Sequence, residues 1–269
     1  ATETLDRFKR EMPDRFFMEG ISEAAIIGMA TGLALSGNIP YVNTIATFIT
    51  RRCFEQVVLD MGLHRANFRL VGSGGGLVYA PLGPTHLAID DIAIMRSIPG
   101  MTVILPADAE EMKRLIPQTV DYPGPIYIRL AKGGDPIVTD KTKRFTIGKA
   151  IVMREGKEAM VVSTGTLLAS ALRAADELGR HGIETSVIHL HTVKPLDHET
   201  ILRCAGRSRA IVTMEEHSIV GGMGSAVAEL LAESGSLRKA RFRRIGLPDL
   251  FPEEYGSQSF LLEKYGITS

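Results

Sequence analysis

Short runs of β-branched and aliphatic residues alternate along the chain with longer stretches whose apolar positions recur every three or four residues. These are the marks of buried strands and of the helices that cover them. The pattern predicts strands at 41–44, 68–71, 101–105 and 126–130, with helices over 23–35, 51–61, 89–97 and 108–120. Residues 131–144 break the rhythm. From Ala131-Lys132-Gly133-Gly134-Asp135-Pro136 to Arg144 the chain carries turn formers without a helical period, and it reads as a linker. A second series follows, with strands at 159–163, 185–190, 210–214 and 240–245. Its helices fall over 167–182 and 198–205, after Gly224, and from about Ser257. Strands separated by helix-length segments imply parallel pairing with helices on the sheet faces. The predicted fold class is therefore α/β, as two α/β domains with mostly parallel sheets, near 1–135 and 145–269.

Composition narrows the function classes. A length of 269 residues accommodates two domains of ordinary size, and 45% hydrophobic with 23% charged residues is a globular balance. The 31 basic and 31 acidic residues cancel, which argues against an electrostatic grip on nucleic acid. No apolar run approaches the ~20 residues of a membrane-spanning helix. Cys53 and Cys204 stand far apart without a paired motif, so neither a zinc site nor a disulfide framework is expected, and a reducing cytoplasm suits them. The chain opens at Ala1 directly into a charged helix-like stretch, with no signal peptide before it. It closes on Thr268-Ser269, a good helix start. The expectation is a somewhat longer parent chain.

Several positions carry candidate chemistry. Glu23 opens an almost wholly apolar helix, where a carboxylate can satisfy open N–H groups or, held in apolar surroundings, share a proton with a bound heterocycle. Phe48 follows a strand end, as a core residue or as a face for a planar ring, and Arg51 and Arg52 are surface charge or a brace for a neighbouring chain. The segment from Gly72 to His86 is the least ordinary stretch: glycine-rich, it follows an apolar strand yet matches neither the dinucleotide fingerprint nor a P-loop. His86, at its end, is a capping histidine or a proton donor over a substrate. Arg129 lies inside a strand and needs a partner, either an internal carboxylate or an anionic substrate group with Lys132 assisting. Glu215-Glu216-His217 precedes a glycine-rich helix start and is expected to pack one chain against another. His189 and His191 share a strand face, but without a carboxylate or cysteine partner a metal site is not expected.

Taken together and in order, Gly20-Ile21-Ser22-Glu23, Thr47-Phe48, Gly83-Pro84-Thr85-His86, Val193-Lys194-Pro195-Leu196-Asp197 and Glu215-Glu216-His217 resemble the transketolase family of thiamine diphosphate enzymes. The resemblance covers nearly the whole chain. It implies a pyrimidine-binding domain over 1–135 and a transketolase C-terminal domain over 145–269. The first strand and helix of the pyrimidine domain and the last C-terminal helix are expected to lie outside the sequence. The family's diphosphate-binding domain, with its Gly-Asp-Gly…Asn metal motif, is also outside it. The resemblance therefore implies the second chain of a split-gene transketolase, assembled as α2β2 with an N-terminal-section subunit that holds Mg2+ or Ca2+. By the same resemblance Glu23 hydrogen-bonds the aminopyrimidine nitrogen of thiamine diphosphate and favours its imino tautomer. The cofactor then serves as electron sink for a two-carbon fragment. Phe48 and Arg52 join Glu23 in holding the cofactor, while His86, Arg129, Lys132 and Ser73 face the substrate. Glu23 and His86 are the catalytic candidates, and no metal ligand is expected in this chain.

Two departures bear on the substrate. The family usually carries an acid immediately before Gly-Pro-Thr-His, contacting a sugar hydroxyl, where this sequence has Leu82. It also carries a histidine earlier in the loop, where this sequence has Gly74. A site without its hydroxyl-reading acid discriminates less against deoxy or modified sugars. The expected donor is thus a ketose of a sugar-modification, sulfosugar or secondary-metabolite pathway. Rival readings are a 1-deoxyxylulose-5-phosphate synthase-like subunit, a 2-oxo-acid dehydrogenase β-like subunit, and a non-catalytic assembly subunit.

Overall fold

The computed structural model describes residues 2–236 and 240–269. The first half contains α1 (Thr2–Glu11), α2 (Glu23–Leu35), β1 (Tyr41–Ile45), α3 (Phe54–Gln56), β2 (Arg69–Ser73), α4 (Asp91–Ser97), β3 (Thr102–Ile104), α5 (Ala109–Asp121) and β4 (Ile126–Leu130). The second half contains β5 (Ile151–Arg154), β6 (Ala159–Ser163), α6 (Leu168–Arg180), β7 (Thr185–His189), β8 (Thr192–Lys194), α7 (His198–Ala205), β9 (Ala210–Ser218), α8 (Met223–Glu233), β10 (Arg241–Leu247) and α9 (Gln258–Lys264).

The strands form two five-stranded sheets, ordered β1-β2-β4-β3-β8 and β10-β9-β6-β7-β5. All pairings are parallel except those of the edge strands β8 and β5, which run antiparallel to β3 and β7. The hydrophobic pattern does not announce these two. Each is short and ends on a cation, Arg154 in β5 and Lys194 in β8. Lys194 has a structural use: its Nζ donates to the carbonyls of Arg96 (2.8 Å) and Ile98 (2.5 Å) at the carboxyl end of α4, where positive charge is favoured.

The helix expected over 51–61 is broken into three pieces, with wide π-type turns at Phe48–Arg52 and Val57–Leu63 on either side of α3. Side chains within it compete for the backbone. The Thr50 hydroxyl donates to the Ala46 carbonyl (2.7 Å) and the Cys53 thiol to the Ile49 carbonyl (3.1 Å), which loosens a regular ladder.

Residues 131–150 form neither helix nor strand, but they are fastened to α5. Asp108 accepts from the N–H groups of Val138 (2.8 Å) and Thr139 (2.7 Å), and Arg114 donates to the carbonyl of Lys143 (2.9 Å). The two halves share one apolar core. A contiguous cluster holds Ile27, Phe68, Leu70 and Val103 from the first half with Val162, Ile188, Leu190 and Val227 from the second. No helix among the described residues is long and apolar enough to cross a membrane.

Candidate active site

Parallel pairing puts the carboxyl ends of β1, β2 and β4 side by side, with Ile45 opposite Ser73 and Ser73 opposite Leu130. This is the edge where open α/β sheets hold ligands. The chain leaving β1 enters Phe48–Arg52, the chain leaving β2 enters the glycine-rich loop, and the chain leaving β4 reaches Lys132. Ser73 Oγ donates to Asn43 Oδ1 across β1 and β2 (2.8 Å).

Four of the expected site residues form one contiguous run. Glu23 is the first residue of α2 and only 4% exposed, with the positive end of the helix favouring its charge. Its Oε2 accepts from Arg52 Nη1 at 2.9 Å. The Arg52 guanidinium lies over Phe48, 4.0 Å from the ring centroid. Phe48 in turn meets the His86 ring edge-on, with centroids 5.1 Å apart. His86 Nδ1 lies 3.0 Å from the Thr85 hydroxyl. Glu23 Oε1 has no hydrogen-bond partner among the described residues, and Phe48 is half-buried. A buried carboxylate with one oxygen uncommitted, beside an accessible aromatic ring, is a donor set that fits an aminopyrimidine. Cys53, next in the chain after Arg52, is pushed up to about 12 by burial and by the charge of Glu23, so it is a packed thiol and no nucleophile.

Arg129, expected to reach an anionic substrate group, is turned inward. Its Nε donates to Asp91 Oδ2 (2.8 Å), and its Nη2 donates to the carbonyls of Ala88 (3.0 Å) and Glu216 (2.8 Å). Asp91 is fully buried and also accepts from the Tyr127 hydroxyl (2.7 Å). Burial opposes the Arg129 charge, but Asp91 and Glu216 outweigh it and raise its pKa. Lys132, by contrast, is exposed just past the end of β4.

The glycine at the position of the family's loop histidine is required by the fold. Gly74 has φ +76°, and a Cβ there would collide with the ring of Tyr79. Tyr79 thus covers the start of the loop, and Leu82 stands half exposed further along it. Sequence reasoning missed Tyr79. A tyrosine in a glycine-rich loop was the available signal.

The Glu215-Glu216-His217 motif, expected to pack chain against chain, lies inside this chain at the end of β9. Glu215 caps α8, accepting from the N–H groups of Met223 (2.6 Å) and Gly224 (2.9 Å). His217 Nδ1 donates to the Ser218 carbonyl (2.7 Å), which leaves Nε2 to accept from Ala93 N–H of α4 (3.4 Å). The missing carboxylate for His189 is Glu111, whose Oε2 lies 2.8 Å from His189 Nε2 with both side chains fully buried. Burial and then His189 lower His191 to about 3, so it is neutral. Among the described residues no group of three or more His, Cys, Asp or Glu side chains is placed to hold a metal ion. A cavity of about 660 Å³ opens in the second half between Arg154, Asp176, Arg180 and Arg207, and none of the candidate site residues lines it.

Comparison with known proteins identifies the family. Residues 2–134 match the family described as "Transketolase, pyrimidine binding domain" and residues 148–269 match "Transketolase, C-terminal domain". The 6-deoxy-6-sulfo-D-fructose transketolase subunit SqwH of Clostridium sp. (strain MSTE9) is 40% identical over 269 residues, which is 100% of this chain and 82% of that protein. An apulose-4-phosphate transketolase subunit of Phocaeicola vulgatus is 36% identical over 247 residues, 91% of this chain and 78% of that one. A solved structure described as a split gene transketolase, inactive beta4 tetramer, superposes with a TM-score of 0.88 at 36% identity, covering 100% of this chain and 84% of that one. Similarity on this scale over both halves places the chain in the transketolase family.

Proposed function

We propose that this chain is the pyrimidine-binding and C-terminal half of a thiamine diphosphate-dependent transketolase, with those two units near 1–135 and 145–269. It transfers a two-carbon ketol unit from a ketose to an aldose. A second subunit supplies the diphosphate-binding domain and the Mg2+ or Ca2+ ion, in an α2β2 assembly of the cytoplasm. The observation that carries this reading is the buried Glu23 carboxylate with one oxygen uncommitted, joined through Arg52 to the half-buried Phe48 ring.

Glu23, Phe48 and Arg52 are the residues that would hold the cofactor. When bound, thiamine diphosphate supplies the electron sink for the two-carbon fragment. Glu23 Oε1 holds a proton at the ring nitrogen of the bound heterocycle. Arg52 orients that carboxylate, and Phe48 offers a planar face. His86, in contact with Phe48, is positioned to move a proton at the donor sugar, and Ser73 and Lys132 stand on the same sheet edge for its hydroxyl and anionic groups. A modified donor is favoured because Leu82 replaces a hydroxyl-reading acid. The relatives named for 6-deoxy-6-sulfo-D-fructose and apulose 4-phosphate support this choice. Lys132 suits the sulfonate or phosphate of such sugars.

The test is two-carbon transfer by the assembled enzyme, with 6-deoxy-6-sulfofructose and xylulose 5-phosphate as alternative donors. The modified ketose is expected to be used with the higher kcat/KM. Glu23→Gln is expected to lower kcat by about 10²-fold or more, with assembly retained. Full activity in Glu23→Gln would overturn the role of Glu23. A preference for xylulose 5-phosphate would overturn the substrate class, and decarboxylation of 2-oxo acids without ketol transfer would move the chain to the 2-oxo-acid dehydrogenase reading.

A further inference from the structure

The loop from Gly74 to His86 leaves β2 and has little regular structure of its own, only the short 3-10 turns Ala80–Leu82 and Pro84–His86. Its own half ties it down near its two ends: Gly75 N–H donates to the Leu130 carbonyl (2.9 Å), and Gly76 and Ala88 exchange a pair of hydrogen bonds (2.9 and 3.1 Å). Further along, the first half adds only looser contacts, Arg51 Nη2 to the Thr85 carbonyl (3.5 Å) and the Phe48 ring edge-on to His86 (5.1 Å between centroids), and the second half supplies closer ones. Leu77 N–H donates to the Glu216 carboxylate at 2.6 Å, and Gly76 lies so close to that carboxylate that a Cβ would stand 2.6 Å from its Cδ. Gln258, the first residue of α9, holds the same carboxylate by donating Nε2 to Oε1 (2.9 Å) and Oε2 (3.0 Å). The Tyr255 ring lies on Gly83 at the base of the turn that carries His86, where a Cβ would come within 2.6 Å of its Cε1. Tyr255 is nevertheless 68% exposed, so its packing contributes little to the core.

A buried carboxylate is a costly way to fill space, since apolar residues of similar volume are often as stable. Its return here is geometric: three side chains from β9 and the C-terminal segment hold the loop at Gly76–Leu77 and again at Gly83. We infer that Glu216, Gln258 and Tyr255 are positioning residues that set the loop bearing His86 against the donor sugar, so that the C-terminal half acts in substrate binding. This rests on the reading of His86 as substrate-facing.

The experiment uses the assembled enzyme with Tyr255→Ala and Gln258→Leu, both outside the core. Donor kcat/KM is expected to fall about tenfold or more, mainly through KM, because a misplacement of about 1 Å can cost about 10²-fold. Affinity for thiamine diphosphate, read by calorimetry, stays within about twofold of wild type, since Glu23, Arg52 and Phe48 are untouched. Amide hydrogen exchange at Leu77 speeds up in Gln258→Leu. Glu216→Gln, which keeps an oxygen for Leu77 N–H, recovers most of the exchange protection lost in Glu216→Ala. Wild-type donor KM in both variants, or equal losses of donor and cofactor affinity, would overturn the inference. If the wild-type enzyme transfers no two-carbon unit, the functional reading fails by itself. Unchanged exchange at Leu77 in Gln258→Leu would then overturn the brace independently.

Discussion

Two cations three residues apart on and after β4 meet opposite fates. Arg129 is enclosed by Asp91, the Ala88 carbonyl and Glu216, whereas Lys132 is free to meet a ligand. Arg129→Met strands Asp91 and Glu216 in the interior, and is expected to lose about 3–5 kcal/mol of stability in urea unfolding. Lys132→Met is expected to stay within about 0.5 kcal/mol of wild type while raising KM for a sulfonated or phosphorylated donor. A stable Arg129→Met enzyme with only its donor KM raised would restore the expectation drawn from sequence. The sequence left Arg129 between an internal carboxylate and an anionic substrate group, and the fold supplies the carboxylate. Strand alternation tells which face a side chain takes, but not that a carboxylate 38 residues earlier waits beneath it. Glu23, Phe48 and His86 stood out as candidates because each sits at the start of a helix, after a strand end or in a loop, and the fold brings them together with Arg52. Gly74 was legible as a departure but not as a necessity, because Tyr79 fills the space only in three dimensions.

Among the elements, strands with several β-branched residues and helices with a clear period declared themselves, and the edge strands β5 and β8 did not. What the elements gain from their termini is measurable. Asp108 precedes α5, accepts from Glu111 N–H (2.9 Å), and takes two N–H groups and a hydroxyl from Val138 and Thr139. Burial pushes its carboxyl up, but these hydrogen bonds outweigh burial and hold it below the usual carboxylate range. The folded state therefore keeps Asp108 ionised where the unfolded chain has begun to bind a proton. Its contribution is full well above pH ~4 and is lost as pH falls through the lowered folded value. Asp108→Ala is expected to cost about 1 kcal/mol or more at pH 7, with the deficit shrinking at about pH 3. Equal deficits at both pH values would show that the carboxylate charge is not what ties the linker to α5.

The molecule as a whole is less divisible than its linker implies. The shared apolar cluster, the antiparallel seat of β8 on β3, and the motif at the end of β9 join the halves at several levels. The sequence pattern showed two α/β series but not this union, because every one of these contacts joins residues distant along the chain. The candidate site lies on the open carboxyl edge of the first sheet, and similar chains are named as subunits of transketolases. The central claim is thus that this chain supplies half of a site completed by another subunit. Native mass spectrometry of the chain, produced together with a subunit carrying a diphosphate-binding domain in the presence of thiamine diphosphate and Mg2+, tests it most directly. A hetero-oligomer with equal numbers of both chains and bound cofactor is expected, and Glu23→Ala is expected to weaken cofactor retention without dissolving the assembly. A hetero-oligomer that retains the cofactor equally well with Glu23→Ala, or two chains that never associate, would contradict that claim.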